Sequence, residues 1–255
     1  MRLTTVGTGT AAPSATRVCA GHLVETETVR LLMDCGSGVV HRMAALGIDW
    51  MGISHLAITH FHPDHVSDVP NLIQAWRYGA IPPRSQTLTI IGPPGTDSLL
   101  SRLADLFGAW VRSPGFPLEV VELTPDSSLS LSGNVRLSAH KVPHTEESVA
   151  YSVSRERARI VYTGDTGVDA TLGPWANGCN VLLAECSLPE ELAIPSHLTP
   201  ARVGALAAEA LPELLALTHF YPPVEAVDIR AVIGERFRGK VELATDGWTI
   251  EIEDS

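Results

Sequence analysis

Cationic side chains are scarce in this sequence. Its 255 residues hold 18 Lys and Arg against 29 Asp and Glu, a formal net charge of −11. A phosphate backbone is recognised by a basic surface, so this balance argues against broad binding to nucleic acid. It leaves room for a local metal-lined pocket. Cysteine is sparse too, with only Cys19, Cys35, Cys179 and Cys186. No C-x-x-C pair occurs, and the closest two are 186 − 179 = 7 positions apart. That pattern fits reduced thiols in a cytosolic protein rather than a disulfide framework. Missing as well is any stretch of 18 uninterrupted apolar residues, or a basic start leading into a signal-peptide core. The expectation is a cytoplasmic protein with no membrane partner.

What is present is a core-forming composition, 45% hydrophobic. Short apolar runs predict strands at Leu3–Val6, His22–Glu27, Val29–Asp34, Ser54–Thr59 and Thr87–Ile91. A second series falls at 118–123, 129–131, 135–140, 149–154, 159–163, 180–184, 214–218, 241–244 and 248–252. Helical spacing appears after Gly36-Ser37-Gly38, from Val66 to Tyr78, from Asp97 to Trp110, from Ala201 to Ala210 and from Val224 to Phe237. Pro200 suits the first turn of the fourth of these helices. Two halves share an element order without a sequence repeat, and no low-complexity linker divides them. One layered α/β domain over 1–255 is expected.

Histidine is the feature that stands out. Ten are present, and His60, His62 and His65 fall within the six residues His60-Phe-His-Pro-Asp-His65, just after Thr59. Three imidazoles and the Asp64 carboxylate this close are costly to bury without a cation. Such nitrogen and carboxylate donors suit zinc, or manganese and iron. Further candidates follow later strands: His144 after Val142-Pro143, Asp165 in Thr163-Gly164-Asp165-Thr166, and His219 after Thr218. Strand-end loops are where functional groups gather.

This ordered set, with Asp34 before it, resembles the metallo-β-lactamase superfamily over essentially the whole chain. The resemblance implies a four-layer αββα sandwich with two divalent metal ions, zinc first, at one edge of the sheets. It implies that His60, His62 and His144 bind one ion, that Asp64, His65 and His219 bind the other, and that Asp165 bridges them. Asp34 would support the site without ligating.

Details point to the ribonuclease Z branch. Gly7-Thr8-Gly9 with Pro13 and Arg17 is similar to its first loop, and matches neither a Walker A nor a dinucleotide spacing. Ala184-Glu185-Cys186-Ser187 resembles its H-E-A-T segment without the histidine, and Ser196-His197-Leu198-Thr199 resembles its H-S-T segment. These imply a proton relay of Glu185 and His197 with Asp64. The departures are equally informative. The long basic arm that follows the P-D-H motif in tRNA-processing members is absent, G-Y appears as Ala150-Tyr151, and His219 is followed by Phe220-Tyr221-Pro222-Pro223. With a charge of −11, a small phosphodiester substrate fits better than a large nucleic acid.

The expected chemistry is hydrolysis by metal-activated hydroxide, oriented by Asp64, with His197 as the acid and Glu185 positioning it. Carboxylic ester or lactone hydrolysis is the second reading, and a metal-binding protein without catalysis the third. A homodimer is implied by the family alone. His41, His55 and His140 read as structural. His22, Trp76 and Tyr78 can either face substrate or pack in the interior.

Overall fold

The computed structural model describes residues 1–253, so the last two positions of the expected 1–255 domain lie outside the described residues. In chain order the strands are β1 (Arg2–Gly7), β2 (Gly21–Glu25), β3 (Arg30–Met33), β4 (His55–Ala57), β5 (Leu88–Gly92), β6 (Leu118–Glu122) and β7 (Ser128–Ser130). They continue as β8 (Arg136–Lys141), β9 (Val149–Arg155), β10 (Ala158–Tyr162), β11 (Val181–Glu185), β12 (Leu214–Thr218), β13 (Lys240–Leu243) and β14 (Thr249–Glu251). The helices are α1 (Val39–Ala45), α2 (Pro63–Val66), α3 (Val69–Gln74), α4 (Thr96–Phe107), α5 (Leu172–Ala176), α6 (Pro200–Ala210) and α7 (Ile229–Gly234).

Two seven-stranded sheets form, in the orders β14-β1-β2-β3-β4-β5-β6 and β13-β12-β11-β10-β9-β8-β7. The pairings repeat between them. β1, β2 and β3 are antiparallel neighbours and β3 to β6 run parallel. β8, β9 and β10 are antiparallel and β10 to β13 run parallel. Each set gains one further antiparallel strand, the distant β14 on β1 and the adjoining β7 on β8.

Strand periodicity sorts side chains into layers. Leu31 and Met33 of β3 enter the core between the sheets, together with Val181 and Leu183 of β11. Leu32 faces the opposite way, into a cluster with Val39, Met43, Leu72 and Leu100 from the helices over the first sheet. Leu182 and Ala184 face α5 and α6 through Leu172, Val203 and Ala207. Each fully buried aliphatic side chain is worth about 1.5–3 kcal/mol. A one-residue slip of a central strand would exchange its two faces, so both layers fix the register. The result is the expected αββα sandwich.

Several predicted elements differ. The Val224–Phe237 helix is two elements, a 3₁₀ turn at Pro222–Ala226 and then α7. Asp228 separates them by capping α7, accepting from the Ala231 amide at 3.1 Å. The Val66–Tyr78 helix begins three residues earlier, at Pro63, breaks at Ser67-Asp68, and ends in a π turn over Ala75–Gly79. Asp68 accepts from the Val40 amide at 3.0 Å, which ties this break to α1. The short α5 is absent from the sequence reading; Asp169 holds its start through the Thr171 and Leu172 amides.

Two loops meet closely under the sheet edge. A Cβ placed on Gly36 would lie 1.8 Å from the Asp64 carbonyl oxygen. Cys35 N donates to His65 O at 2.8 Å and Asp68 N to Cys35 O at 3.0 Å, so the contact is backbone to backbone. We expect Gly36→Ala to cost about 3 kcal/mol, because neither chain can yield. A urea midpoint equal to that of the native chain would contradict this packing.

His22 on β2 is fully buried, edge-on to Tyr162 at 4.7 Å, and among the described residues neither ring nitrogen has a hydrogen-bond partner. It faces the interior, not a substrate. Burial, then repulsion from His65 and His219, lowers its pKa to about 3. The unfolded chain takes up this proton near pH 6.5 and the folded chain does not until about 3, so stability falls as pH drops through that window. In chelator-treated protein, His22→Leu should flatten the acid limb of the urea midpoint between these values. An unchanged slope would contradict the assignment.

Candidate metal centre

The parallel strands β3 and β4 and, in the other sheet, β8, β10, β11 and β12 deliver their carboxyl ends to one edge of the sandwich. Asp34 follows β3, His60 follows β4, His144 follows β8, Asp165 follows β10, Glu185 ends β11 and His219 follows β12. Asp34 and His219 adopt left-handed backbone, φ 60° and 59°. For a residue with a Cβ this costs about 1–2 kcal/mol. Both bends occur at strand ends, where the chain must turn a side chain into the site.

Asp34 is fully buried and satisfied from three directions. It accepts from the Thr59 amide at 2.8 Å and from the Thr59 hydroxyl at 2.9 Å. Tyr162 of the second sheet donates to it at 2.9 Å, and His65 Nδ1 at 2.8 Å. Asp34 therefore holds ligand candidates in place without being one.

The seven sequence-predicted donors converge in two groups. Ligating atoms of His60, His62, His144 and Asp165 lie within 4.8 Å of one another, as do those of Asp64, His65, Asp165 and His219. Asp165 belongs to both. Its Oδ2 is 3.8 Å from His60 Nε2 and from His144 Nε2, and its Oδ1 is 3.3 Å from His65 Nε2 and from His219 Nε2. Asp64 Oδ2 is 3.4 Å from His219 Nε2. The second group is wholly buried, while His62 opens the first to solvent.

Proton assignments show what these atoms lack. Thr59 gives its hydroxyl proton to Asp34, so His60 Nδ1–H donates to Thr59 Oγ1 at 3.1 Å. His144 Nδ1–H donates to the Ser196 carbonyl at 2.9 Å. The lone pairs of His60 Nε2 and His144 Nε2 then both face His62 Nδ1, at 3.2 and 3.0 Å. One neutral imidazole has no more than one proton to offer them there. Asp165 Oδ1 is buried with no hydrogen-bond partner among the described residues. Acceptors facing acceptors in a buried space call for cations, so the donor set fits metal. The field agrees. Burial works against a charged His65, yet Asp165 and Asp34 hold its pKa well above the ordinary histidine value. Burial opposes ionisation of Asp165 as well, but His219 and His65 keep it well below the usual carboxylate range.

Beside the second group, His197 Nδ1 donates to Glu185 at 3.0 and 3.1 Å. The Thr166 amide donates to Glu185 Oε1 at 2.6 Å. Arg202 holds the His197 carbonyl at 3.1 Å and that of Ile194 at 2.8 Å. The His197 ring stacks on His219 with centroids 5.7 Å apart, and Tyr221 packs edge-on to both. Burial lowers the His197 pKa, but the Glu185 hydrogen bond overrides it and the net shift is upward.

Other candidates lie elsewhere. Trp76 is interior, donating to the Trp50 carbonyl at 3.0 Å, and Tyr78 is exposed beside Arg77. His140 stacks on Trp175 and bonds Thr171, pinning α5 to β8. Arg17 braces the first loop through Thr8 and Glu225. Unassigned in the sequence reading were Thr59, Tyr162, Ser196 and Ser187. Ser187 Oγ lies 2.9 Å from His219 Nδ1. Each is a common polar side chain, and the partners that place it in the site, Asp34 for Thr59 and Tyr162, His144 for Ser196 and His219 for Ser187, are remote in sequence. From His65 the chain runs through α3 and the π turn to β5, with no inserted arm.

Comparison with known proteins gives a consistent result. A beta-lactamase superfamily domain matches residues 29–220. A curated ribonuclease Z from Mycobacterium sp. (strain KMS) is 30% identical, covering 99% of this chain and 96% of the relative. The short form of human tRNase Z superposes with a TM-score of 0.81 at 25% identity, covering 99% of this chain and 100% of that one. The metallo-β-lactamase fold protein YhfI from Bacillus subtilis superposes with a TM-score of 0.84 at 23% identity, covering 98% of each chain, and shares the fold. The chain belongs to the metallo-β-lactamase superfamily, in its ribonuclease Z-like branch, and is a metal-dependent hydrolase of the phosphodiesterase kind.

Proposed function

We propose that the chain is a two-metal phosphodiesterase that hydrolyses a small phosphodiester. The observation that carries the reading is Asp165, whose two oxygens face two separate donor groups. His60, His62 and His144 would hold one ion, Asp64, His65 and His219 the other, with Asp165 between them. Histidine and carboxylate donors without thiolate favour zinc, with manganese or iron as substitutes. When bound, two divalent ions supply Lewis acidity and hydroxide at neutral pH.

The side chains do the rest. Asp64 accepts a hydrogen bond from the attacking water and so aims it at phosphorus. His197 keeps its Nδ1 proton on Glu185, which turns Nε2–H towards the leaving oxygen and supplies its proton. The Glu185 hydrogen bond raises the His197 pKa above the ordinary histidine value, which favours the protonated ring. Tyr221 walls the pocket against His197 and His219.

The small substrate is supported by the missing arm and by the net charge of −11. The names of the relatives above specify ribonuclease and tRNase activity, so precursor tRNA belongs in the test. We also read the described chain as one domain, since both sheets share one core.

Metal-loaded protein should hydrolyse bis(p-nitrophenyl) phosphate or cyclic nucleotides, and leave precursor tRNA and acyl lactones uncut. Cleavage of lactones alone, or of precursor tRNA alone, would contradict the substrate assignment. His197→Ala should lower kcat by about 10²-fold with metal content retained. Native turnover in that variant would remove His197 from the reaction.

A further inference from the structure

Ser187 lies two residues beyond the Glu185 carboxylate and is fully buried. Its hydroxyl contacts three groups of the site. It donates to Glu185 Oε2, stands 2.9 Å from His219 Nδ1, and is 3.4 Å from His197 Nδ1. The His219 carbonyl, at 3.2 Å, is the other acceptor within its reach.

A serine hydroxyl has one proton and two lone pairs. An ionised carboxylate is the stronger acceptor, so the proton goes to Glu185. The oxygen can then only accept from His219 Nδ1–H. With its proton on Nδ1, His219 presents a bare Nε2 lone pair to the buried donor group. That nitrogen is 3.3 Å from Asp165 Oδ1, 3.4 Å from Asp64 Oδ2 and 3.4 Å from His65 Nε2. A metal-binding imidazole requires this tautomer, and the partner of the other nitrogen sets it.

The other buried imidazoles obtain it more directly. His65 has Asp34 on its Nδ1, and His144 has the Ser196 carbonyl. Among the described residues, Nδ1 of His219 has no carboxylate partner and bonds Ser187. The serine hands on the influence of Glu185, which also holds Nδ1–H of His197. One buried carboxylate thus orients two imidazoles, one directly and one through a hydroxyl.

We propose that Ser187 is a positioning residue that fixes the metal-binding tautomer of His219 and ties it to the Glu185–His197 pair. This role rests on the two-metal reading above. Loss of the hydroxyl leaves the His219 Nδ1–H without an acceptor and releases one side of Glu185. The first donor group, which does not touch Ser187, keeps its geometry.

The test compares native protein with Ser187→Ala and Ser187→Thr, each loaded with zinc and titrated with a chelator. Native protein should hold two ions. Ser187→Ala should lose about 10–100-fold in affinity at one of them and leave the other unchanged. Nitrogen-15 NMR should show an exchange-protected Nδ1 proton on His219 in the native protein and in Ser187→Thr, and none in Ser187→Ala. Should Ser187→Ala fail to fold, Ser187→Cys replaces it, because a thiol of similar shape is a poor acceptor. Two native-strength ions and an intact Nδ1 proton signal in the serine-deleted variant would overturn the role of Ser187 alone. Fewer than two ions in the native chain would overturn the two-metal reading, and this role with it.

Discussion

The buried carboxylate of Asp34 ties together everything that meets at the functional edge. It takes hydrogen bonds from Thr59 at the end of β4, from Tyr162 at the end of β10 in the other sheet, and from His65 in the P-D-H turn. Both sheets and the histidine loop are thereby fixed to one side chain. A buried ion stripped of such partners costs several kcal/mol, so the three donors and the carboxylate stand or fall together. The left-handed backbone at Asp34 is the local cost of placing it there.

The repeated strand order explains why one edge can hold so many groups. β1 to β6 and β8 to β13 follow the same pairing pattern, so the turn after β3 has its counterpart after β10. The first turn supplies Asp34, which supports; the second supplies Asp165, which faces both donor groups. Likewise β4 leads to the histidine cluster and β11 to Glu185 and Ser187. Facing the two sheets brings the donors of both halves to one edge, and the Tyr162–Asp34 hydrogen bond ties the supports of the two halves together.

Much of this was legible in the sequence because it is encoded locally. His60, His62, Asp64 and His65 are close in sequence, and His144, Asp165 and His219 each stand just past an apolar strand. A layered α/β domain follows from strands that are apolar on both faces, such as Val181–Glu185, while the αββα sandwich was implied by the resemblance that the donor set carries. What stayed hidden depends on remote partners. Nothing near Tyr162 in sequence says that its hydroxyl reaches Asp34, 128 positions away. Ser187 meets His219 across 32 positions, with no periodicity to announce it. The split of the Val224–Phe237 helix turned on the Asp228 cap, which the apolar spacing around it obscured. His22 was ambiguous because its strand is buried throughout, which leaves no polar face to distinguish.

The acidic excess belongs to the outer surface, while the buried donors at the edge create a demand for positive charge. Acceptors face one another around His62, and among the described residues the buried Asp165 Oδ1 has no hydrogen-bond partner. Native mass spectrometry of the metal-loaded chain tests this most directly. The account predicts two divalent ions in the native protein and the loss of both from Asp165→Ala, because that carboxylate serves both groups. Two ions retained without Asp165, or none bound by the native chain, would contradict it.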